Sequence, residues 1–309
     1  MNIETVEFGG WQHNLKLSND ACEMIITLEV GPRVLSFATR ENGRIGENVF
    51  CVFSDGAGGK GESQWQSRGG HRLWLAPENE SAHPFTYFPD NAPVEHEIIS
   101  ENRVRFTPPM EPGGAQKETQ IELDENTARA IVTHRVTNAG SEALAPLAPW
   151  ALSVMAPGGI AIVPFAPLGE HPRDLLPDRK LVLWPYADLR DERLYLGCEF
   201  LTLAQDSRKT PIKIGLGHAI SWAGYWNRGT LFLKKWRFDT DANYPDLGST
   251  CELFTNSEML EVESLAPLVS LAPGQSAEHV EEWNLFPNVP AFGARDEVSI
   301  RAALKGLDL

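Results

Sequence analysis

The sequence predicts an all-β protein, one large antiparallel β-sandwich. Three observations carry that expectation. Runs in which apolar and polar residues alternate with a period of two recur along most of the chain, as in half-buried antiparallel strands. Turn signals separate these runs, drawn from 26 glycines and 22 prolines in 309 residues. Helical periodicity is scarce.

In chain order, strand-like runs cover 24–28 and 34–39, closed by Glu41-Asn-Gly. Runs follow at 104–107, 118–123 and 129–136, the last closed by Thr137-Asn-Ala-Gly-Ser. Ala156-Pro-Gly-Gly opens a run at 161–165, and another lies at 211–214. Asn227-Arg-Gly opens 230–236, and runs at 251–255 and 259–265 precede Ala272-Pro-Gly-Gln. The tail is the best helix, over 296–307, with Asp296 as N-cap and Gly306 near its end. Two long irregular stretches, 54–71 and 164–177, read as loops of the kind that line a site on a β scaffold. Strand patterns resume on both sides of them and there is no internal repeat. The expectation is a single domain over 1–309, with its core at 9–287 and a tail at 288–309.

An apolar content of 42% is enough for a sizeable core, and a net charge of −15 repels nucleic acid and anionic membrane surfaces. The start, Met1-Asn-Ile-Glu-Thr-Val-Glu-Phe, lacks the basic start and apolar block of a signal peptide, and no run has the length of a membrane span. Cys22, Cys51, Cys198 and Cys251 show no CxxC spacing and read as reduced, mostly buried thiols of a cytoplasmic protein. The Asn79-Glu-Ser sequon is then incidental.

The densest chemistry lies near the C-terminus. Leu260-Glu-Val-Glu-Ser-Leu places Glu261 and Glu263 two residues apart in an apolar run, so a strand points both carboxylates to one face. Two acids there are costly unless something pairs or uses them. Gly69-Gly-His71-Arg72-Leu-Trp74-Leu-Ala-Pro-Glu78 brings an acid–base group, a guanidinium, an indole and a carboxylate together. His71 and Arg72 point to opposite sides of an extended strand, and share a pocket only if a bulge at the glycines intervenes. Otherwise His71 is a structural hydrogen-bonder and Arg72 pairs with Glu78. Nine tryptophans and no basic patch suit a neutral polyhydroxylated ligand, since indole faces pack on sugar C–H faces. Gly58-Gly-Lys-Gly lacks the phosphate-loop spacing and reads as a surface loop. No metal and no cofactor are expected: the histidines show neither HxH nor HExxH spacing, and Asp239-Thr-Asp241 with Asp246 lacks the EF-hand pattern.

The ordered combination of Val30-Gly-Pro-Arg, Val132-Thr-His-Arg-Val-Thr-Asn, Ala148-Pro-Trp150-Ala-Leu, Leu260-Glu-Val-Glu-Ser-Leu-Ala-Pro and Glu281-Glu-Trp-Asn-Leu resembles the galactose mutarotase-like superfamily, over about 11–286. The chain looks like an uncharacterised branch of it, not a true aldose 1-epimerase. The resemblance implies a large antiparallel β-supersandwich with a short C-terminal helix here, and a sugar site on the concave face of one sheet. It also implies a mechanism in which a glutamate takes the anomeric proton, a histidine protonates the ring oxygen, and the ring opens and recloses. Glu261 matches the base position, and Glu263 stands where the family has a neutral amide. The family's histidine motif is absent: the corresponding stretch reads Leu147-Ala-Pro-Trp150.

These residues set the expectation of a carbohydrate-binding protein that interconverts anomers of an aldose or sugar derivative. Glu261 is the expected base and His71 the expected acid. Arg72, Trp74, Trp150, Tyr244, Asp246 and Glu263 are expected to bind the sugar. The alternative is a sugar-binding or sensing module without turnover, favoured by the missing histidine. A lyase or hydrolase acting on a glycan is a third reading. The partner is a small sugar, with no nucleic acid and no membrane; the sequence leaves oligomeric state open.

Overall fold

The computed structural model describes residues 1–53, 62–79, 86–88, 90–207, 210–217 and 219–309. The Gly58-Gly-Lys-Gly loop, the last two sequon residues and two of the eight histidines lie outside them. Among the described residues the chain forms two antiparallel sheets of 12 and 10 strands and one helix. The path of the first sheet runs from Asn2–Phe8 through Trp11–Ser18, Cys22–Thr27, Arg33–Glu41, Gly70–Ala76, Leu144–Met155, Leu260–Leu265, Cys251–Thr255 and Ile212–Gly217 to Lys180–Leu183. The second runs from Leu194–Leu196 through Phe200–Ala204, Ile160–Pro164, Trp222–Asn227, Thr230–Trp236, Ser276–Phe286, Arg129–Asn138, Ala115–Leu123 and Arg103–Thr107 to Glu95–Ser100.

The all-β class expected from the alternation is what the chain adopts. Thr230–Trp236 and Cys251–Thr255 have the expected bounds, and the run at 129–136 extends to Arg129–Asn138. No strand occurs between Pro164 and Lys180, as expected for the proline-rich stretch. The helix is shorter than expected, Glu297–Leu304, with Asp296 Oδ1 accepting from the Val298 and Ser299 amides. It buries Ile300, Ala303 and Leu304 against Phe200 and Leu231 of the second sheet.

Inward-facing residues of both sheets make the main core. At its centre the Trp283 indole meets Phe50 and Phe232 edge-on, with ring centroids 5.7 and 5.5 Å apart. All four cysteines are free; Cys22 and Cys251 are buried, Cys51 is half-buried and Cys198 is exposed. No described helix is long and apolar enough to cross a membrane.

Two glycines feed the strand that will matter most. Gly69 and Gly70 have φ of +73° and +68°, and a Cβ on Gly70 would lie 2.5 Å from the Val34 carbonyl oxygen. Only glycine allows Gly70–Ala76 to enter so close to Arg33–Glu41. Gly70→Ala is expected to destabilise the protein by about 2 kcal/mol or more, read as a lower urea midpoint with an unchanged m-value.

Candidate functional site

Alternation along Leu260–Leu265 sorts its side chains. Leu260 and Val262 enter the core between the sheets, so Glu261, Glu263 and Leu265 lie on the face turned away from the second sheet. Register then assembles the neighbours, because directly opposed residues share a face. Arg72, Leu152, Glu263, Glu252 and Gly215 form one cross-strand row. Gly70, Val154, Glu261, Phe254 and Lys213 form the next, and Trp74, Trp150 and Leu265 a third.

Arg72 Nη2 donates to Glu261 Oε1 at 3.0 Å. Its guanidinium carbon lies 4.2 Å from the Trp74 ring centroid and 5.3 Å from that of Trp65, within cation–π range of both indoles. Glu263 Oε2 accepts from Trp150 Nε1 at 2.7 Å and from Lys213 Nζ at 3.1 Å. Lys213 Nζ is also 2.7 Å from Glu252 Oε2, and it lies between the Trp150 and Trp184 rings at 4.5 and 4.8 Å. Gly215 leaves room for this: a Cβ there would come within 3.2 Å of the Trp184 ring. Arg72 Nε and Glu263 Oε1 are buried without a hydrogen-bond partner. Such orphaned atoms are expensive, and each is a point where a polar partner would complete the bonding.

The electrostatics are unbalanced. Four carboxyls, of Asp246, Glu252, Glu261 and Glu263, share this face with two cations, Arg72 and Lys213. Burial pushes the Glu252 carboxyl well above the usual carboxylate range despite Lys213, and Glu263 and Asp246 add to the rise. Asp246 is likewise raised by burial, against the pull of Lys213, and its charge in turn adds to the rise at Glu252. Burial also raises Glu261, with Arg72 pulling down and Glu263 pushing up. Lys213 is held protonated: Glu263 and Glu252 outweigh the desolvation that would neutralise it. The set therefore joins a carboxyl that burial pushes towards its protonated form to one paired with a guanidinium, an arrangement suited to moving protons.

Of the expected residues, Glu261, Glu263, Arg72, Trp74, Trp150 and Asp246 come together here. Arg72 pairs with Glu261 rather than with Glu78, which accepts from Tyr87. Tyr244 is set aside: its Oη accepts from the Asp239 amide at 2.9 Å, and its ring stacks on Phe238 beside a separate cleft of about 430 Å³. His71 does not join Glu261. The strand stays extended past the glycines, so His71 points inward, where Nδ1 meets Ser153 Oγ at 2.9 Å and Nε2 meets His134 Nε2 at 3.0 Å. Burial drives the His71 imidazole well below its usual range, against the pull of Glu281. The acid–base pair expected from the sequence is therefore not assembled. Lys213, Glu252, Trp65 and Trp184 were not singled out as site residues. Lys213 and Glu252 did carry a signal, each being a lone charge inside an apolar strand run, Pro211-Ile-Lys-Ile and Cys251-Glu-Leu-Phe.

No family model matches the chain, and no curated protein matches it. Solved structures do. A galactose mutarotase-like protein from Lactobacillus casei is similar at 13% identity and a TM-score of 0.55, over 88% of this chain and 100% of that one. A candidate aldose 1-epimerase from Klebsiella pneumoniae is similar at 10% identity and a TM-score of 0.56, over 97% and 85%. A TPR-domain containing protein from Parabacteroides distasonis is similar at 14% identity and a TM-score of 0.59, over 90% of this chain and 48% of that one. At these identities the likeness is one of fold, and the chain has the galactose mutarotase-like fold.

Breaking the buried Arg72–Glu261 pair leaves one charge uncompensated. Arg72→Met is expected to cost about 3 kcal/mol in urea unfolding, and the double variant Arg72→Met/Glu261→Leu to recover most of that loss.

Proposed function

We propose that this protein binds a monosaccharide or sugar derivative on the outer face of the 12-stranded sheet and interconverts its anomers, with Glu261 as general base. One observation carries the proposal: Glu261, raised by burial but held by Arg72, shares a strand face with Glu263 and Lys213, and the two cations of that face, Arg72 and Lys213, lie against four indoles. Glu261 is the least enclosed of the three glutamates, 7% exposed against 0% for Glu252 and Glu263, so it is the one a ligand meets first.

In this reading the ring packs on Trp65, Trp74 and Trp150, and Glu263 Oε1 and Arg72 Nε take hydroxyls. Glu261 removes the anomeric hydroxyl proton. The C1–O5 bond breaks as the C1 carbonyl forms, and O5 takes a proton. Glu252, pushed up by burial and bridged to Glu263 by Lys213, is the proton source that replaces the inward-facing His71. Reclosure on the other carbonyl face runs the same steps backwards.

A second reading, binding without turnover, is favoured by one observation: Glu261 is already engaged by Arg72, while His71 lies on the far face. NMR exchange spectroscopy on aldoses and uronic acids separates the two. Faster α/β exchange that disappears in Glu261→Gln is the expected result. Saturation transfer to a sugar with no change in exchange rate establishes the binding module instead.

The pH profile follows from the same electrostatics. The base works ionised, and burial raises its pKa. Activity is therefore expected to climb with pH along a limb displaced above the ordinary glutamate range, measured as kcat/KM against pH.

A further inference from the structure

We propose that His71, His134 and Glu281 form a divalent-metal site that ties the two sheets together. His71 comes from Gly70–Ala76 in the first sheet; His134 and Glu281 come from neighbouring strands of the second, Arg129–Asn138 and Ser276–Phe286. All three are buried, and among the described residues they are the His/Cys/Asp/Glu group placed to share an ion. His71 Nε2 and His134 Nε2 are 3.0 Å apart, and Glu281 Oε2 lies 3.7 and 3.5 Å from them. Three atoms at those separations have a common point about 2.0 Å from each, the length of a zinc–imidazole or zinc–carboxylate bond.

The surroundings fit a ligand set. Each imidazole has a hydroxyl at its other nitrogen, Ser153 Oγ at 2.9 Å from His71 Nδ1 and Thr119 Oγ1 at 3.3 Å from His134 Nδ1. With Nδ1–H donating to those hydroxyls, both Nε2 lone pairs face the common point, as second-shell partners of metal-bound histidines arrange them. One tautomer shift accomplishes this, and neither ring changes charge. Lys234 Nζ and Ser264 Oγ take the other carboxylate oxygen, Oε1, at 2.8 and 2.5 Å, while Oε2, which also accepts from Trp283 Nε1 at 3.1 Å, faces the two imidazoles with a lone pair to spare. A void of about 10 Å³, the size of one water, borders both histidines. Two imidazoles and one carboxylate favour zinc and its first-row neighbours over calcium or magnesium.

Because the ligands are buried, exchange requires unfolding. The full chain is denatured with chelator, desalted, and refolded with or without Zn²⁺. One metal per chain by elemental analysis, retained through gel filtration, and a melting temperature about 5 °C or more above the metal-free sample are expected. Co²⁺ in place of Zn²⁺ is expected to give visible d–d absorption. His134→Gln and Glu281→Gln are expected to lose the bound metal, and Cys198→Ser to keep it. Equal melting temperatures with and without Zn²⁺, no retained metal, or full retention in His134→Gln would each overturn the site. Should the variants fail to fold, the wild-type refolding comparison and the Co²⁺ spectrum still decide the matter.

Discussion

The contact on which the outer face depends is the bridge Glu263–Lys213–Glu252. Three glutamates project from two adjacent strands into a region that burial makes a poor solvent for charge. Lys213 answers two of them from the next strand, and its ammonium is held between indole faces as well as between carboxylates. Arg72 answers the third from the other side. Two cations face four carboxyls, and burial pushes Glu252, Glu261 and Asp246 towards their protonated forms. The chemistry attributed to the face is thus a consequence of how its charge imbalance is tolerated.

Gly70–Ala76 links this face to the interior. Successive side chains of a strand point to opposite sides, so His71 and Arg72 belong to different environments despite being neighbours. Arg72 enters the outer cluster. His71 enters a buried polar network with His134, Glu281 and Lys234, lodged within an otherwise apolar core. Every tether on His71 therefore also fixes the backbone that carries Arg72.

The fold class was legible because alternation and turn chemistry are local properties, and they sufficed for strands such as Thr230–Trp236 and Cys251–Thr255. The shared face of Glu261 and Glu263 was legible for the same reason. What the sequence did not disclose is register between distant strands. Arg72 and Glu261 are 189 residues apart, and nothing local says that Arg72 takes Glu261 instead of Glu78. Lys213 and Glu252 were visible as lone charges in apolar runs, but their mutual contact was not. His71 went astray through an expected bulge: the glycines use their positive φ to bring two strands close, and the strand beyond them stays regular.

The order of strands across the outer face has a consequence for biogenesis. Arg72, Trp150, Lys213, Glu252 and Glu261 come from five segments spread over most of the chain, with Leu144–Met155 lying between the strands of Arg72 and Glu261. In a chain made from its N-terminus, Arg72 emerges long before its carboxylate exists. The sheet that bears it presents an open edge until Leu260–Leu265 arrives to pair with Leu144–Met155. A nascent or truncated chain ending before residue 260 has most of its strands, yet it carries an unpaired guanidinium and an unfilled sheet position, the conditions under which chaperones and proteases engage a polypeptide.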